Sequence, residues 1–236
     1  MKTVVVTGST RGIGRGLAEN FLARGCRVVI SGRSEAAVES VCTELAETYG
    51  QDRVAGKACD IVDVEALQGL WGCGVEHFGS IDVWVNNAGM SIVRAPLAEQ
   101  DAAGLAQIVS TNLTGVLLAN KVAIAGMQNQ GKGQIWNMEG FGSNGQTAPG
   151  MVAYGATKRA VTYVIKALQK EVKDGPVQVC TLSPGIVVTD LLVGDYDLTS
   201  EQWEKAKKIF NILGDDVHTV TPWLADQVLA ADTSGA

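Results

Sequence analysis

The chain has 236 residues, of which 46% are hydrophobic, and a formal net charge of -6. That length and apolar content suit one α/β domain with a sizeable core. The acidic balance excludes a binder of nucleic acid, which would carry a basic stripe; Lys205, Lys207 and Lys208 form only a short solvated helix face. Thr3–Thr7 reads as a buried strand, followed by a helix with Ile13, Leu17 and Phe21 on one face and Gly25 at its end. Arg27–Ser31 is a second strand, and Ser34 caps a helix running through Tyr49. Arg53–Ala58 is the third strand, Val64–Phe78 a helix, and Ile81–Val85 the fourth strand. A long helix covers about Gly104–Gln130, then come strand Gln134–Met138, helix Tyr154–Val172 and strand Val177–Leu182. Leu191–Gly214 is helical with one apolar stripe (Trp203, Ala206, Phe210, Leu213) and a capping-box pair, Thr199 and Gln202. It is either an ordinary packing helix or a substrate lid.

Strands that alternate with helices predict a doubly wound parallel sheet with helices on both faces. Such a sheet binds ligands at the carboxyl ends of its strands. The whole chain, 1–236, is expected to form one domain, with the lid insert at about 191–214. Cys26, Cys42, Cys59, Cys73 and Cys180 are odd in number and lack CxxC spacing, which predicts free thiols in a reducing compartment. His77 and His218 stand apart from any carboxylate or thiol cluster, so no metal site is expected. The apolar run Val4–Val6 meets Gly8 too soon for a signal peptide or a membrane span.

The first strand opens into Thr7-Gly8-Ser9-Thr10-Arg11-Gly12-Ile13-Gly14. Glycines between a strand and a helix permit a tight turn and close approach of the backbone to a pyrophosphate at the helix N-terminus. The second strand ends Ile30-Ser31-Gly32-Arg33, with no acid to hold ribose hydroxyls. Arg11 and Arg33 can instead fork onto a 2′-phosphate, which predicts NADP(H) rather than NAD(H). Asp60, with Ile61 beside it, stands where a carboxylate can accept from adenine, and Asn87, Ala88 and Gly89 close the fourth strand. Tyr154 and Lys158 are four residues apart on one helix face. A neighbouring ammonium favours the phenolate, so Tyr154 can exchange a proton with a substrate oxygen near neutral pH.

These stretches, with Asn112 and Ser183-Pro184-Gly185-Ile186-Val187 plus Thr189, resemble the short-chain dehydrogenase/reductase family, in family order from Met1 to about Asp190. The resemblance implies a Rossmann-type fold, Tyr154 as general acid, and Lys158 as its pKa-lowering, ribose-binding partner. It implies that Asn112 kinks its helix and holds a relay water, that Asn87 lines the cofactor channel, and that Pro184, Gly185, Ile186, Val187 and Thr189 flank the nicotinamide. Two departures stand out. Glu139 and Gly140 occupy the places of the family's catalytic serine, leaving Ser143 either to polarise the carbonyl from a shifted loop or only to solvate a glycine-rich turn. The family's seventh, edge strand is missing or truncated before Ser234-Gly235-Ala236; that strand often builds a subunit contact, so of the expected homodimer or homotetramer the tetramer is placed in doubt.

Asn137-Met138-Glu139-Gly140-Phe141-Gly142-Ser143, followed by Tyr154-Gly155-Ala156-Thr157-Lys158, is similar to the chlorophyll(ide) b reductases. That likeness implies NADPH-dependent reduction of the C7 formyl group of a chlorophyll-type tetrapyrrole to hydroxymethyl, in the cytoplasm or in the plastid stroma of a plant or alga. The alternatives are a general alcohol dehydrogenase or ketone reductase with a smaller substrate, and a non-catalytic NADP-binding regulatory protein.

Overall fold

In the computed structural model, residues 1–194, 196, 199 and 201–231 are described, without the side chains of Glu201, Gln202, Ile209 and Leu213. Six strands, β1 (Thr3–Val6), β2 (Arg27–Gly32), β3 (Val54–Ala58), β4 (Val83–Asn86), β5 (Gly133–Met138) and β6 (Val177–Leu182), form one sheet in the order β3-β2-β1-β4-β5-β6. Every neighbouring pair is parallel. The order reverses direction between β1 and β4, which opens a crevice at their carboxyl ends.

The strands alternate their side chains between two cores, as the pleat requires. Val4, Val6, Val28, Ile30 and Trp136 face one layer, with α1 (Gly12–Ala23) and α2 (Glu35–Tyr49). Val5, Val29, Trp84, Ile135 and Val179 face the other, with α3 (Val64–Phe78) and the helices that follow β4 and β5. Both faces are thus covered, and this is why the strands read as continuous apolar runs.

The long helix expected near 104–130 is one helical run in three parts: α4 (Ala102–Val109), a π-helical segment (Ser110–Gly115) and α5 (Val116–Gln130). Asn112 sits in the π segment, where the backbone departs from the regular i to i−4 ladder. The run is long and apolar enough to cross a bilayer. Here Ala119, Ala123 and Met127 are sealed into the second core. After β5, α6 (Val152–Glu171) begins two residues before the expected start and carries Tyr154 and Lys158 in its first turns.

The segment after β6 is more elaborate than one helix. β7 (Ile186–Val187) and β8 (Gly214–Asp215) pair in parallel, and between them lie α7 (Asp190–Val193) and α8 (Glu201–Leu213). The two-residue ribbon therefore clamps the base of the insert. The Thr199–Gln202 capping box lies partly outside the described residues, as Leu213's side chain and Ser234-Gly235-Ala236 do wholly.

Helix α9 (Val217–Ala230) has no counterpart in the sequence reading. Asp216 caps it by accepting from the Thr219 amide at 2.7 Å. It packs on α1 where Gly16 leaves room for Val217 and Thr221. Arg24 pairs with Asp226 at 2.6 Å, and Asn20 donates to Thr221 Oγ1 at 3.1 Å. Val220, Leu224 and Val228 were a legible apolar stripe, but Pro222 inside it reads as a helix breaker.

A buried amide network crosses the sheet below the crevice. Asn137 Oδ1 accepts from Asn86 Nδ2 at 2.9 Å and from Asn120 Nδ2 at 2.7 Å, while Trp84 Nε1 donates to Asn86 Oδ1 at 2.8 Å. Removing Asn137 strands two buried donors at once. Asn137→Ala is expected to destabilise the protein by about 2–4 kcal/mol, lowering Tm by roughly 5–10 °C. Calorimetry of both proteins checks this, and a shift under about 1 °C would show that the network carries no net stability.

Candidate active site

One cleft of ≈ 780 Å³ runs along the carboxyl ends of the strands and crosses the switch point. At one end it is lined by Gly8, Thr10, Arg11, Gly12, Ile13 and Gly14, by Arg33, and by Asp60 and Ile61. Asn87, Ala88 and Gly89 line its middle. Tyr154, Lys158, Pro184, Gly185, Ile186, Val187 and Thr189 also reach it. The structure thus gathers nearly all the residues singled out from sequence into one continuous surface.

The glycine loop is held from β4. Thr7 Oγ1 accepts from the amides of Asn87 (3.1 Å) and Ala88 (3.0 Å), and Asn87 Nδ2 donates to the carbonyls of Thr7 (2.9 Å) and Gly8 (3.1 Å). A Cβ on Gly14 would strike Asn87 Nδ2 and the Gly8 carbonyl, so the loop closes only with glycine there. Side chains cap α2, α3, α4 and α9, whereas Arg11 at the N-cap of α1 makes no side-chain cap, and the first turn of α1 holds no acid. Helices α6 and α7 likewise lack a side-chain cap, and the amides at the start of α1 are a place that an anion can occupy. Arg11 and Arg33 are both exposed at this end, and β2 ends in Gly32 followed by Arg33, the first carboxylate, Glu35, coming only with α2. These features fit the phosphates of a dinucleotide.

Three expected site residues do not line the cleft. Ser9 is buried, its Oγ donating to the Val6 carbonyl at 2.7 Å and accepting from the Ser31 amide at 2.9 Å, so it ties the loop to β2. Asn112 is buried too. Its Oδ1 accepts from the Met90 amide, and its Nδ2 donates to the Met90 carbonyl, both at 2.8 Å, with Thr157 Oγ1 at 3.3 Å. This amide zips the chain after β4 to the π segment and to α6. Ser143 Oγ accepts from the Gly140 amide at 3.1 Å and donates to the Lys158 carbonyl at 3.4 Å. It braces the turn after β5 and is not among the residues that line the cleft.

At the reacting end the decisive position is Gly140. A Cβ built there would lie 2.6 Å from Tyr154 Oη and 3.1 Å from Lys158 Cε. The bare backbone of residue 140 is therefore what admits the tyrosine hydroxyl. Lys158 Nζ donates to the Met138 carbonyl at 3.2 Å and lies 5.8 Å from the centre of the Tyr154 ring. Burial pushes the Lys158 ammonium down to about 8, against the opposing pull of the Glu139 carboxylate. Glu139 lines the cleft and accepts from Thr162 Oγ1 at 3.5 Å.

Beyond Tyr154 the wall turns apolar and aromatic: Phe141, Met151, Leu192, Tyr196 and Phe210, with Arg94. Sequence reading had identified Phe210 only as part of a stripe and had passed over Arg94 and Tyr196. Their segments carry no periodic signal, because loops converge on a site only through the fold.

Three comparisons bear on this site. Residues 2–197 match the family model described as short chain dehydrogenase. The chain is 37% identical to chlorophyll(ide) b reductase NOL of rice (Oryza sativa subsp. japonica) over 236 residues, covering 98% of this chain and 67% of the relative. It is 36% identical to the probable chlorophyll(ide) b reductase NYC1 of rice, covering 99% of this chain and 48% of that protein. The chain thus spans about half to two thirds of the length of these chloroplast relatives. Among solved structures, the closed form of a serine dehydrogenase complexed with NADP+ superposes with a TM-score of 0.83 at 22% identity, covering 98% of this chain and 90% of that one.

The buried lysine sets a pH dependence. In the unfolded chain Lys158 keeps its proton up to the ordinary 10.5, whereas the native group loses it near about 8. Between these values the unfolded state binds more protons, so stability rises with pH. The wild type should gain up to about 3 kcal/mol over Lys158→Met across that window, without nucleotide. Urea unfolding at several pH values reads this difference, and a flat difference would mean that the ammonium is not desolvated.

Proposed function

The chain belongs to the short chain dehydrogenase family, and from that premise we propose that it is an NADP(H)-dependent carbonyl reductase acting on the formyl group of a chlorophyll-type tetrapyrrole. The observation that carries the chemistry is the approach of Tyr154 Oη to the bare backbone of Gly140 beside the buried Lys158. When bound, NADPH supplies the hydride to the carbonyl carbon.

The chain's own residues hold and protonate. Arg11 and Arg33 grip the 2′-phosphate, and the open amides of α1 take the pyrophosphate. Asp60 and Ile61 flank the adenine; Asn87, Ala88 and Gly89 form the channel wall; Pro184–Val187 and Thr189 flank the nicotinamide carboxamide. Lys158 binds the ribose and favours the tyrosinate, and Tyr154 gives its proton to the carbonyl oxygen as it becomes an alkoxide. Asn112 shapes the helix behind the site, and Ser143 shapes the loop. In this reading Ser143 positions Gly140 instead of polarising the carbonyl.

The substrate reading is supported by the two curated relatives and by the apolar wall beyond Tyr154. The insert at 191–214 serves as the lid of a single domain, since Leu192, Tyr196, Ala206 and Phe210 all face the cleft. Self-association is supported by Val109, Leu117 and Tyr163, apolar or aromatic side chains exposed on α4, α5 and α6. Five free cysteines and chloroplast relatives support a reducing compartment such as the stroma or cytoplasm.

With NADPH and chlorophyllide b, the absorption band of the formyl-bearing ring should disappear. Tyr154→Phe should lower kcat by about 10²- to 10⁴-fold while still binding NADPH. A wild type that reduces small aldehydes but leaves the band intact would refute the tetrapyrrole substrate. Unchanged turnover by the Phe variant would refute the proton donor. Cofactor choice is tested separately: replacing both Arg11 and Arg33 by Ala should cut the kcat/KM preference for NADPH over NADH by about 10- to 100-fold. An unaltered preference would mean that neither guanidinium reads the 2′-phosphate.

A further inference from the structure

Arg94 is the one cation on the apolar wall of the cleft, among the described residues beyond Tyr154. Its Nε is buried and has no hydrogen-bond partner, and it forms no ion pair among the described residues. That one donor has lost water without gaining an acceptor, which is costly, while the rest of the partly buried side chain lines the cleft. Its place is nevertheless fixed from three sides. The guanidinium carbon stacks 4.4 Å from the centre of the Tyr196 ring. Gln100 Nε2 donates to the carbonyls on either side of it, Val93 at 2.9 Å and Ala95 at 3.1 Å. Gly150 packs against its Cβ, so closely that a side chain at 150 would lie 3.3 Å away.

A charged fork stacked on a ring, pinned at its backbone and lacking an acceptor is prepared for an anion that arrives with the ligand. A single guanidinium matches a single carboxylate in planarity and charge, whereas a phosphate dianion would ask for more cations than this wall offers. We propose that Arg94 receives a carboxylate of the substrate, so that the cleft selects a carbonyl compound bearing a free acid over its ester. This rests on the reading of the cleft as a reductase site. For a tetrapyrrole it means the free propionic acid form, not the form esterified with a long alcohol.

The acid is gripped by Arg94's N–H edge, while Tyr196 shields the guanidinium face. Because Tyr196 belongs to the insert between β7 and β8, docking of the acid also ties the insert to the loop after β4. Arg94 acts on binding, and the hydride and proton steps remain with the groups around Tyr154.

The test compares chlorophyllide b with its propionate methyl ester, which keeps the ring and the formyl group and removes only the charge. Dissociation constants are measured by tryptophan fluorescence quenching on the protein saturated with NADP+, for the wild type, Arg94→Met and Arg94→Lys. The wild type should bind the acid about 10- to 100-fold more tightly than the ester. Arg94→Met should bring the two ligands to the same value, and Arg94→Lys should keep part of the difference, since it retains the charge without the fork. Equal binding of acid and ester by the wild type, no binding of the acid, or a preference that survives in Arg94→Met would each overturn the proposal. Turnover is read in parallel. Selective binding of the acid without loss of the formyl band would leave Arg94 as the acid's receptor and refute the reductase reading instead.

Discussion

The ammonium of Lys158, buried against the end of β5, is the constraint around which this molecule is arranged. It meets one carbonyl, that of Met138, at 3.2 Å, and burial, partly offset by the Glu139 carboxylate, pushes it down to about 8. A lysine in such a place needs a rigid frame, because any slack would let it reach water and recover its ordinary affinity for protons. The frame is built from three directions. Glu139's amide donates to the Leu182 carbonyl and extends the β5–β6 pairing past the end of the sheet. Ser143 ties Gly140 to the carbonyl of Lys158 itself. Asn112 and Thr157 lock α6 to the π segment one residue before the lysine.

In this frame a side chain at position 140 would require Tyr154 Oη and Lys158 Cε to shift. At Gly140 the space that a side chain would fill belongs to Tyr154 Oη and Lys158 Cε. The phenol has come in over the backbone of the loop, and the one nearby serine hydroxyl braces the turn. If Tyr154 is the acid, the oxyanion forming next to it has a hydroxyl and a buried ammonium nearby, and no second hydroxyl from this loop. Glu139 does not fill that role, since a carboxylate would repel the developing charge; its field instead keeps the Lys158 proton from leaving still more easily.

The sheet was legible from the sequence because its signal is physical and local. Continuous Val and Ile runs mean two covered faces, and the glycine loop after β1 announces both the first crossover and the ligand crevice. Tyr154 and Lys158 were legible because a helix puts i and i+4 on one face. What was not legible depends on tertiary contact. Ser143 stood open between polarising a carbonyl and solvating a glycine-rich turn, because spacing cannot say which side of such a turn a side chain takes. Helix α9 had no counterpart in the sequence reading; it holds Pro222 within a helix that Asp216 caps and that packs on α1. Arg94 and Tyr196 lie in irregular segments, and only the convergence of the loop after β4 with the insert makes them neighbours.

Charge is sorted along the cleft, and the sorting follows from where each element ends. The end built by β1, β2 and β3 offers Arg11, Arg33 and Asp60 at the solvent edge, where the guanidinium groups stay hydrated. The middle, between β4 and β5, carries Lys158, which is desolvated and held by one carbonyl. The far end is walled by the insert, whose aromatic side chains meet at an angle: Tyr196 lies 5.8 Å from Phe210, edge to face, and 5.6 Å from Trp203, tilted. A substrate entering there meets little that can replace its hydration except apolar surface, so a flat, mostly apolar molecule gains most from the transfer. The single guanidinium on that wall then discriminates among such molecules. An apolar wall alone would accept any flat ring, whereas a partly buried cation with one unpartnered donor favours a ligand that brings an anion.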